Sequence, residues 1–240
     1  MESIIICEGE TDLVLLQYYM IKTNGWKDSG TYSLNLKIKD SKSRDLIKNT
    51  DKLTIISCGG CGNIKTVFES VIRKNQNEIS DEKRYSKIVI ITDNDDKGTE
   101  ERVISELNQV SRDINKISNN TWTELEFEDS TQTKFTSDLL LLIIPFNENG
   151  ALETFLLNAV AKQDAYDAEI IKKGNEFVEN VDPDSKYLKH RWLITKAKFD
   201  VYFSVRTAAK QFGQRQNILK NVPWEQYEEI RTCFKELEKL

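Results

Sequence analysis

The chain begins with an apolar run that ends in carboxylates, Ile4-Ile5-Ile6-Cys7-Glu8-Gly9-Glu10-Thr11-Asp12. A later stretch repeats this pattern, Ile88-Val89-Ile90-Ile91-Thr92-Asp93-Asn94-Asp95-Asp96-Lys97-Gly98. Each apolar run predicts a strand buried on both faces of a parallel sheet, and the residues after it predict a turn into a helix. In open α/β sheets, ligands bind outside the carboxyl ends of the strands. We therefore expect four carboxylates to converge there, those of Glu8, Asp12, Asp93 and Asp95.

The chemistry of four neighbouring carboxylates points to a cation. Their charges would repel one another strongly unless a divalent ion neutralised them. Oxygen ligands with no nearby histidine favour Mg²⁺ or Mn²⁺ over zinc. The spacing of Asp93 and Asp95 places both side chains on the same side of an extended strand end, as joint support of an ion requires. The alternative is that these acidic residues only cap two helices of an unrelated α/β domain.

The two acidic motifs together resemble the Toprim domain. They read Glu-Gly-x-x-Asp, from Glu8 to Asp12, and Asp-x-Asp-x-x-Gly, from Asp93 to Gly98. Topoisomerases, bacterial primases and nucleases of the OLD (overcoming lysogenization defect) type share this domain, and the resemblance covers roughly residues 1–157. It implies an α/β, Toprim-like Rossmannoid fold with a mostly parallel central sheet flanked by helices. It also implies that Glu8 acts as a general acid or base besides binding metal.

The same resemblance nominates residues beyond the two motifs. Gly150-Ala151-Leu152-Glu153 follows the last predicted core strand, where OLD-type and related small Toprim proteins place a further acidic metal ligand. Glu153 is therefore a candidate ligand, with Glu148 as a second; the alternative for Glu153 is an exposed glutamate in a first helical turn. In OLD-type nucleases a lysine beyond the acidic motifs approaches the scissile phosphate. Lys196 or Lys198 would take that part, unless this basic stretch is only a solvated helix face.

Hydrophobic patterns divide the chain into a strand-bearing part and a helical part. Predicted core strands are Ser3–Cys7, Leu53–Ser57, Lys87–Thr92 and Asp138–Ile144, with alternating patterns at Tyr32–Ile38 and Trp122–Phe127. The polar residues Ser41–Asp51 are expected to be irregular. Predicted helices after residue 163 are Ala165–Val181, Tyr187–Phe212 and Trp224–Leu240. We expect a Toprim-like α/β domain over 1–163 and a helical extension packed on it over 164–240.

The loop Cys58-Gly59-Gly60-Cys61-Gly62-Asn63 connects a predicted strand to a predicted helix. Its glycines would let backbone N–H groups approach a phosphate or a metal-bound water, or would simply allow a tight turn. Cys58 and Cys61 have the spacing of half a zinc site or of a redox dithiol, and the third interpretation is that both are bystander thiols.

Composition limits the class of protein and its surroundings. The 240 residues are 39% hydrophobic and 30% charged, which suits a globular protein with a sizeable core. No apolar run reaches the roughly 18 residues of a membrane span. The amino terminus lacks the basic region of a secretory signal, and four cysteines are too few for a disulfide scaffold, so we expect a cytoplasmic protein. The net charge of −5 does not indicate nucleic-acid binding, but the segment 189–198 is locally basic.

The acidic cluster and the resemblance to Toprim nucleases together imply a metal-dependent nuclease that hydrolyses DNA or RNA. By resemblance, the chain would be an effector in a bacterial or phage-defence system. The alternative is a non-cleaving Toprim partner or regulatory subunit of a separate ATPase, since the chain has no Gly-x-x-x-x-Gly-Lys-Ser/Thr motif of its own. A small ribonuclease that matures ribosomal RNA is another possible relative. A magnesium-dependent phosphatase or receiver domain would need its key aspartate after the first strand, where this chain has Glu8.

Overall fold

The computed structural model of the protein describes six ranges of the chain, residues 1–30, 41–111, 116–146, 148–208, 219–220 and 222–240. These residues form two compact units. The first comprises Met1–Ile143 and Glu236–Leu240, and the second comprises Ile144–Lys235. The division between the units therefore precedes the helix Leu152–Gln163, whereas the sequence places the end of the α/β domain after that helix.

The first unit contains a mixed sheet, which has seven strands in the described part of the chain. They are β1 (Glu2–Cys7), β2 (Lys27–Asp28), β3 (Lys42–Lys48), β4 (Asp51–Ser57), β5 (Tyr85–Asp93), β6 (Trp122–Glu128) and β7 (Lys134–Ile144). Their order across the sheet is β2-β3-β4-β1-β5-β7-β6. The strand β1 lies parallel to both β4 and β5, while β3 runs antiparallel to β4 and β6 antiparallel to β7. The prediction of an α/β fold with a mostly parallel central sheet is thus confirmed.

Helices of the first unit follow three of these strands. They are α1 (Glu10–Thr23), α2 (Ile64–Asn77) and α3 (Thr99–Asn108). The helix α2 buries Ile64, Val67, Phe68, Val71 and Ile72, whose spacing of three and four residues produces one apolar face. This face joins the core cluster that includes apolar residues of β1, β4 and β5. The continuous burial of those central strands explains why their sequences are apolar at consecutive positions.

The expectation that Ser41–Asp51 is irregular is wrong, because Lys42–Lys48 form β3. This strand pairs with β4 across a two-residue turn, in which Asn49 has a φ of 56°. Asparagine tolerates that left-handed conformation better than most residues. Only Asp45 and Leu46 of the strand are buried, so its sequence lacks a continuous apolar pattern. The predicted strand Tyr32–Ile38 lies outside the described residues.

The second unit is helical. It contains α4 (Leu152–Gln163), α5 (Ala165–Val181), α6 (Arg191–Arg206) and the short α7 (Glu228–Cys233). The prediction of α5 is confirmed at both ends, whereas α6 begins four positions later than predicted. Residues 209–218 of the predicted helix Tyr187–Phe212 and of the loop after it are outside the described ranges. None of the helices in the described part of the chain combines the length and the apolar character needed to cross a membrane.

The prediction of one helix over Trp224–Leu240 is wrong. The segment consists of a 3₁₀ turn at Trp224–Gln226, α7, and a second 3₁₀ helix at Lys235–Lys239. Its buried side chains are mostly three residues apart, with Cys233 and Phe234 adjacent; they are Trp224, Tyr227, Ile230, Cys233, Phe234, Leu237 and Leu240. A period near three suits 3₁₀ turns, which place side chains i and i+3 on the same side.

The buried carboxylate of Asp45 gives a test of the β3–β4 pairing. The hydroxyl of Thr54, which lies opposite on β4, donates a hydrogen bond of 2.9 Å to Asp45, and the Lys52 ammonium lies 3.5 Å from the same carboxylate. We expect Asp45→Ala to lower the free energy of unfolding by about 1–3 kcal/mol, because it leaves the Thr54 hydroxyl buried without its acceptor. Urea denaturation measures this change.

The control for that experiment is Asp51→Ala. Asp51 pairs with the amino terminus at 3.0 Å, and both groups are more than one-third exposed. Its loss should cost less than about 1 kcal/mol, as for other surface ion pairs. Equal effects of the two substitutions would contradict a structural role for the Asp45–Thr54 pair.

Candidate functional site

The parallel pairing of β1 with β5 brings the two acidic motifs together. Cys7 lies opposite Ile91 in this pairing, so the residues that follow each strand are neighbours. The Glu8 carboxylate accepts a hydrogen bond from the Thr92 hydroxyl and another from the Asp93 backbone N–H, the latter at 3.0 Å. Among the described residues, both bonds go to Oε1 of Glu8. The structure therefore places Glu8 beside the end of β5, as the sequence predicts.

The environment of Glu8 opposes its ionisation. Burial raises the pKa of Glu8, and the negative charge of Asp95 acts in the same direction. The hydrogen bonds from Thr92 and Asp93 lower the pKa, as does the positive charge of Arg102, but the net shift is upward. A carboxyl group with a raised pKa is better suited to proton transfer near neutral pH than an ordinary surface glutamate.

The Asp12 carboxylate contacts the start of the helix that carries it. Its Oδ2 accepts a hydrogen bond of 2.7 Å from the backbone N–H of Gly9, the N-cap residue of α1. This contact caps the helix, which is the role that the sequence analysis gave as the alternative to metal binding. The negative charge of Asp12 also contributes to raising the pKa of Cys7 and of Cys58. Asp12 therefore supports the helix and adds negative potential near Glu8, whose charge acts on the same two thiols.

The aspartates after β5 have different surroundings. Asp93 ends the strand and is half-buried, whereas Asp95 is exposed and its charge acts on both Glu8 and Cys61. The carboxylate of Asp96 instead accepts a hydrogen bond of 3.2 Å from the Thr99 hydroxyl. Gly98 follows with a φ of 95°, a left-handed conformation that allows the chain to turn into α3. Asp96 thus helps to form the turn, whereas Asp93 and Asp95 remain the candidates for metal binding.

The acidic residues converge without forming a complete coordination shell. Within the described ranges, no three or more His, Cys, Asp or Glu side chains are arranged to hold a metal ion. The carboxylates of Glu8, Asp93 and Asp95 nevertheless fit Mg²⁺ or Mn²⁺, because these ions prefer oxygen ligands. A bound cation would also relieve the repulsion between Glu8 and Asp95 that raises the pKa of Glu8.

The glycine- and cysteine-containing loop packs beside the first acidic motif. The Gly60 N–H donates to the backbone carbonyl of Glu8 at 3.0 Å, and Gly59 and Gly60 have φ values of 74° and 126°. These contacts favour the tight-turn interpretation, since the Gly60 N–H already has an acceptor. Burial raises the pKa of Cys58 to about 12 and also raises that of Cys61. Both are free cysteines, and their raised pKa disfavours the reactive thiolate of a redox pair. Within the described residues they belong to no group of side chains arranged to hold a metal ion, so both observations favour bystander thiols.

Four of the nominated residues lie in the second unit. Glu153 is buried in the first turn of α4, and the exposed Glu148 accepts a hydrogen bond of 3.0 Å from the Asn158 side chain. The Lys198 ammonium pairs with Glu179 at 2.5 Å, while the Lys196 ammonium lies 5.1 Å from the centre of the Trp192 ring. Lys198 therefore has a carboxylate partner within its own unit, which leaves Lys196 as the better candidate for a phosphate contact.

A cavity of about 250 Å³ in the second unit was not predicted from the sequence. Its polar lining includes side chains from α4, α5, α6 and the chain before α4, among them Asn149, Asn158, Asn175, Arg191, Thr195 and Lys198. The Asn175 side-chain oxygen is buried and has no hydrogen-bond partner among the described residues. The spacing of Arg191, Thr195 and Lys198 on one face of α6 was the available sequence signal, but the other lining residues come from distant parts of the chain.

Comparison with known families identifies the group to which the chain belongs. A family described as "Protein of unknown function (DUF3226)" matches residues 2–238. The chain is a member of this family. Among solved structures, the crystal structure of a hypothetical protein from Pyrococcus horikoshii OT3 is similar, with 14% sequence identity and a TM-score of 0.46. That match covers 98% of this chain and 99% of the other chain. No curated protein matches the sequence.

The raised pKa of Glu8 predicts an effect of Glu8→Gln on stability. Glutamine keeps an oxygen that accepts from Thr92 and Asp93 but removes the buried charge, so we expect the metal-free variant to be at least as stable as the wild type at pH 7. The wild-type carboxyl gains its proton as the pH falls through its raised folded-state pKa. Any advantage of the variant should therefore shrink toward pH 4. Thermal unfolding in EDTA across this pH range measures the difference.

The matched control is Glu10→Gln, two residues along the chain. The Glu10 carboxylate is exposed and pairs with Lys42 at 2.7 Å, so its neutralisation should slightly destabilise the protein at pH 7. A Glu8→Gln variant that is clearly less stable than wild type at pH 7, by an amount that persists at pH 4, would show that burial does not penalise the Glu8 charge.

Proposed function

We propose that this chain is a Mg²⁺- or Mn²⁺-dependent nuclease of the Toprim kind, which hydrolyses phosphodiester bonds of DNA or RNA. The observation that carries the proposal is the half-buried Glu8 carboxylate, which lies between the ends of two parallel strands and accepts a hydrogen bond from the Asp93 N–H. It combines an acid of raised pKa with a neighbouring pair of aspartates at the edge of the sheet where α/β proteins bind ligands.

The arrangement of carboxylates supports a cation-dependent reaction. The charge of Asp95 acts on Glu8, the Asp93 backbone N–H donates to the Glu8 carboxylate, and one oxygen of Asp12 accepts from the Gly9 N–H. A bound Mg²⁺ or Mn²⁺ would supply a polarised water molecule and neutralise charge on the phosphate. By resemblance, Glu153 would be a further ligand, and Lys196 or Lys198 would contact the scissile phosphate.

The hydrogen bonds of Glu8 define its part in the reaction. The Thr92 hydroxyl and the Asp93 N–H fix Oε1, so Oε2 is the oxygen that we assign to proton transfer or metal binding. The raised pKa lets this carboxyl hold a proton closer to neutral pH than a surface glutamate does. Burial fixes the side chain and limits the water around it, both of which favour a defined position for the moving proton.

Nuclease assays with site-directed variants test the proposal. Purified protein is incubated with plasmid, single-stranded DNA and total RNA, each with Mg²⁺, Mn²⁺ or EDTA. We expect cleavage that requires the metal and that falls at least about 100-fold in Glu8→Gln and in the Asp93→Ala, Asp95→Ala double variant, since these remove the proton carrier or the anionic ligands.

The control is Asp96→Asn, which neutralises the next carboxylate but keeps an oxygen that can accept from Thr99. This variant should retain most of the activity. Cleavage that survives in the Asp93, Asp95 double variant would refute the assigned site. If no substrate is cleaved by any form of the protein, the chain is better explained as the non-cleaving partner of a separate ATPase.

A further inference from the structure

The surface segment formed by residues 185–196 combines exposed aromatic rings with positive charge. Tyr187 is 70% exposed and Trp192 is 57% exposed. The sequence contains no Asp or Glu between Asp184 and Asp200, while it has five cations in the same stretch, Lys186, Lys189, Arg191, Lys196 and Lys198. In a chain whose net charge is −5, this segment stands out as a local concentration of positive charge.

The first half of this segment is held in a defined conformation. The Asp182 carboxylate accepts hydrogen bonds from three successive backbone N–H groups, those of Lys186, Tyr187 and Leu188, at 3.0, 2.8 and 2.7 Å. These bonds lower the pKa of Asp182, because all three N–H groups donate to its ionised carboxylate. The Tyr187 ring is therefore exposed on a structured loop, which reduces the entropy lost when a ligand binds to it.

Cations and aromatic faces are neighbours within the segment. The Lys186 ammonium lies 5.1 Å from the centre of the Tyr187 ring, and the Lys196 ammonium lies 5.1 Å from the centre of the Trp192 ring. The His190 ring is nearly parallel to the Trp192 ring, with 6.4 Å between their centres. An aromatic ring beside a cation offers a nucleic acid two contacts at once, stacking for a base and charge for the adjacent phosphate.

We infer that the segment 185–196 binds single-stranded nucleic acid, with bases stacked on Tyr187 and Trp192 and phosphates held by Lys186, Lys189 and Lys196. Single strands expose the faces of their bases, whereas a duplex keeps those faces stacked inside, so the aromatic rings select the single-stranded form. Lys198 is not assigned a phosphate because it pairs with Glu179. The inference rests on the proposed nuclease function in that it names the class of substrate, but the binding itself needs no metal.

Trp192 provides an intrinsic probe of this binding. Trp26 and Trp224 are buried and Trp122 is half-buried, so an oligonucleotide that stacks on the protein surface should quench mainly the fluorescence of Trp192. The experiment titrates the protein in EDTA with a fluorescently labelled oligothymidylate and, separately, with a DNA duplex of the same length. Tryptophan quenching and the anisotropy of the label are followed together. We expect the single strand to bind more tightly than the duplex and to quench the tryptophan signal.

Two aromatic substitutions give the decisive comparison. Trp192→Ala should weaken single-strand binding by about fivefold to 150-fold, the usual effect of losing one stacked base. Phe177→Ala in α5 is the matched control, because Phe177 is 56% exposed in the same unit and lies outside the basic segment. It should bind as the wild type does. Trp192→Phe should keep most of the binding while losing most of the quenching.

The charged residues are tested by the salt dependence of binding. Each phosphate contact to a single strand contributes about −0.7 to the slope of log K against log[salt], so Lys196→Gln should make the slope shallower by about that amount. Lys172→Gln, on the exposed surface of α5, should leave the slope unchanged.

The result of the binding experiment does not depend on whether the protein cleaves nucleic acid. In EDTA, the Asp93→Ala, Asp95→Ala variant should bind the single strand as the wild type does, because all the inferred contacts are made by residues 185–196 and none of them needs a metal ion. Absence of binding, equal affinity for the duplex, or equal affinity of the Trp192→Ala and Phe177→Ala variants would overturn the inference, even if the nuclease assay succeeded. If the wild-type protein cleaves no substrate but shows Trp192-dependent binding, the result would instead count against the proposed nuclease function alone.

Discussion

The parallel pairing of β1 with β5 is the constraint on which the candidate site depends. It places the start of the first acidic motif beside the start of the second, so that the Asp93 N–H and the Thr92 hydroxyl both reach the Glu8 carboxylate. The pairing is itself a consequence of two apolar runs that are buried on both faces of the sheet. The same sequence feature therefore builds the core and delivers the acidic residues to one edge of it.

The site brings like charges together at a cost in stability. Burial and the charge of Asp95 both disfavour the ionised form of Glu8, and two hydrogen bonds only partly offset this effect. Asp12 is different, because its contact with the Gly9 N–H gives it a structural role at the start of α1. Unfavourable electrostatic environments of this kind are common where a protein must bind a ligand or move a proton. Helix capping explains the position of Asp12 but not that of Glu8. The proposed function would explain why Glu8 lies in this cluster.

The sequence predicts the strands whose side chains are buried at consecutive positions. Continuous apolar runs identify β1, β4, β5 and β7, and the acidic residues after β1 and β5 identify Glu8 and Asp93 as neighbours. The strand β3 escapes prediction because only two of its seven residues are buried. The carboxyl-terminal segment is wrongly predicted as one α-helix, because its buried side chains are about three residues apart, a spacing close to the period of an α-helix. The polar cavity could not be predicted because its lining comes from three helices and a preceding loop.

The central claim is that the carboxylates at the ends of β1 and β5 bind a divalent cation. Titration of the metal-free protein with Mn²⁺, followed by electron paramagnetic resonance of the free ion, measures this binding without any assumption about the substrate. The account predicts at least one bound Mn²⁺ per chain, displaced by Mg²⁺ and lost in the Asp93→Ala, Asp95→Ala variant. Absence of bound Mn²⁺, or binding that the double variant retains in full, would contradict it.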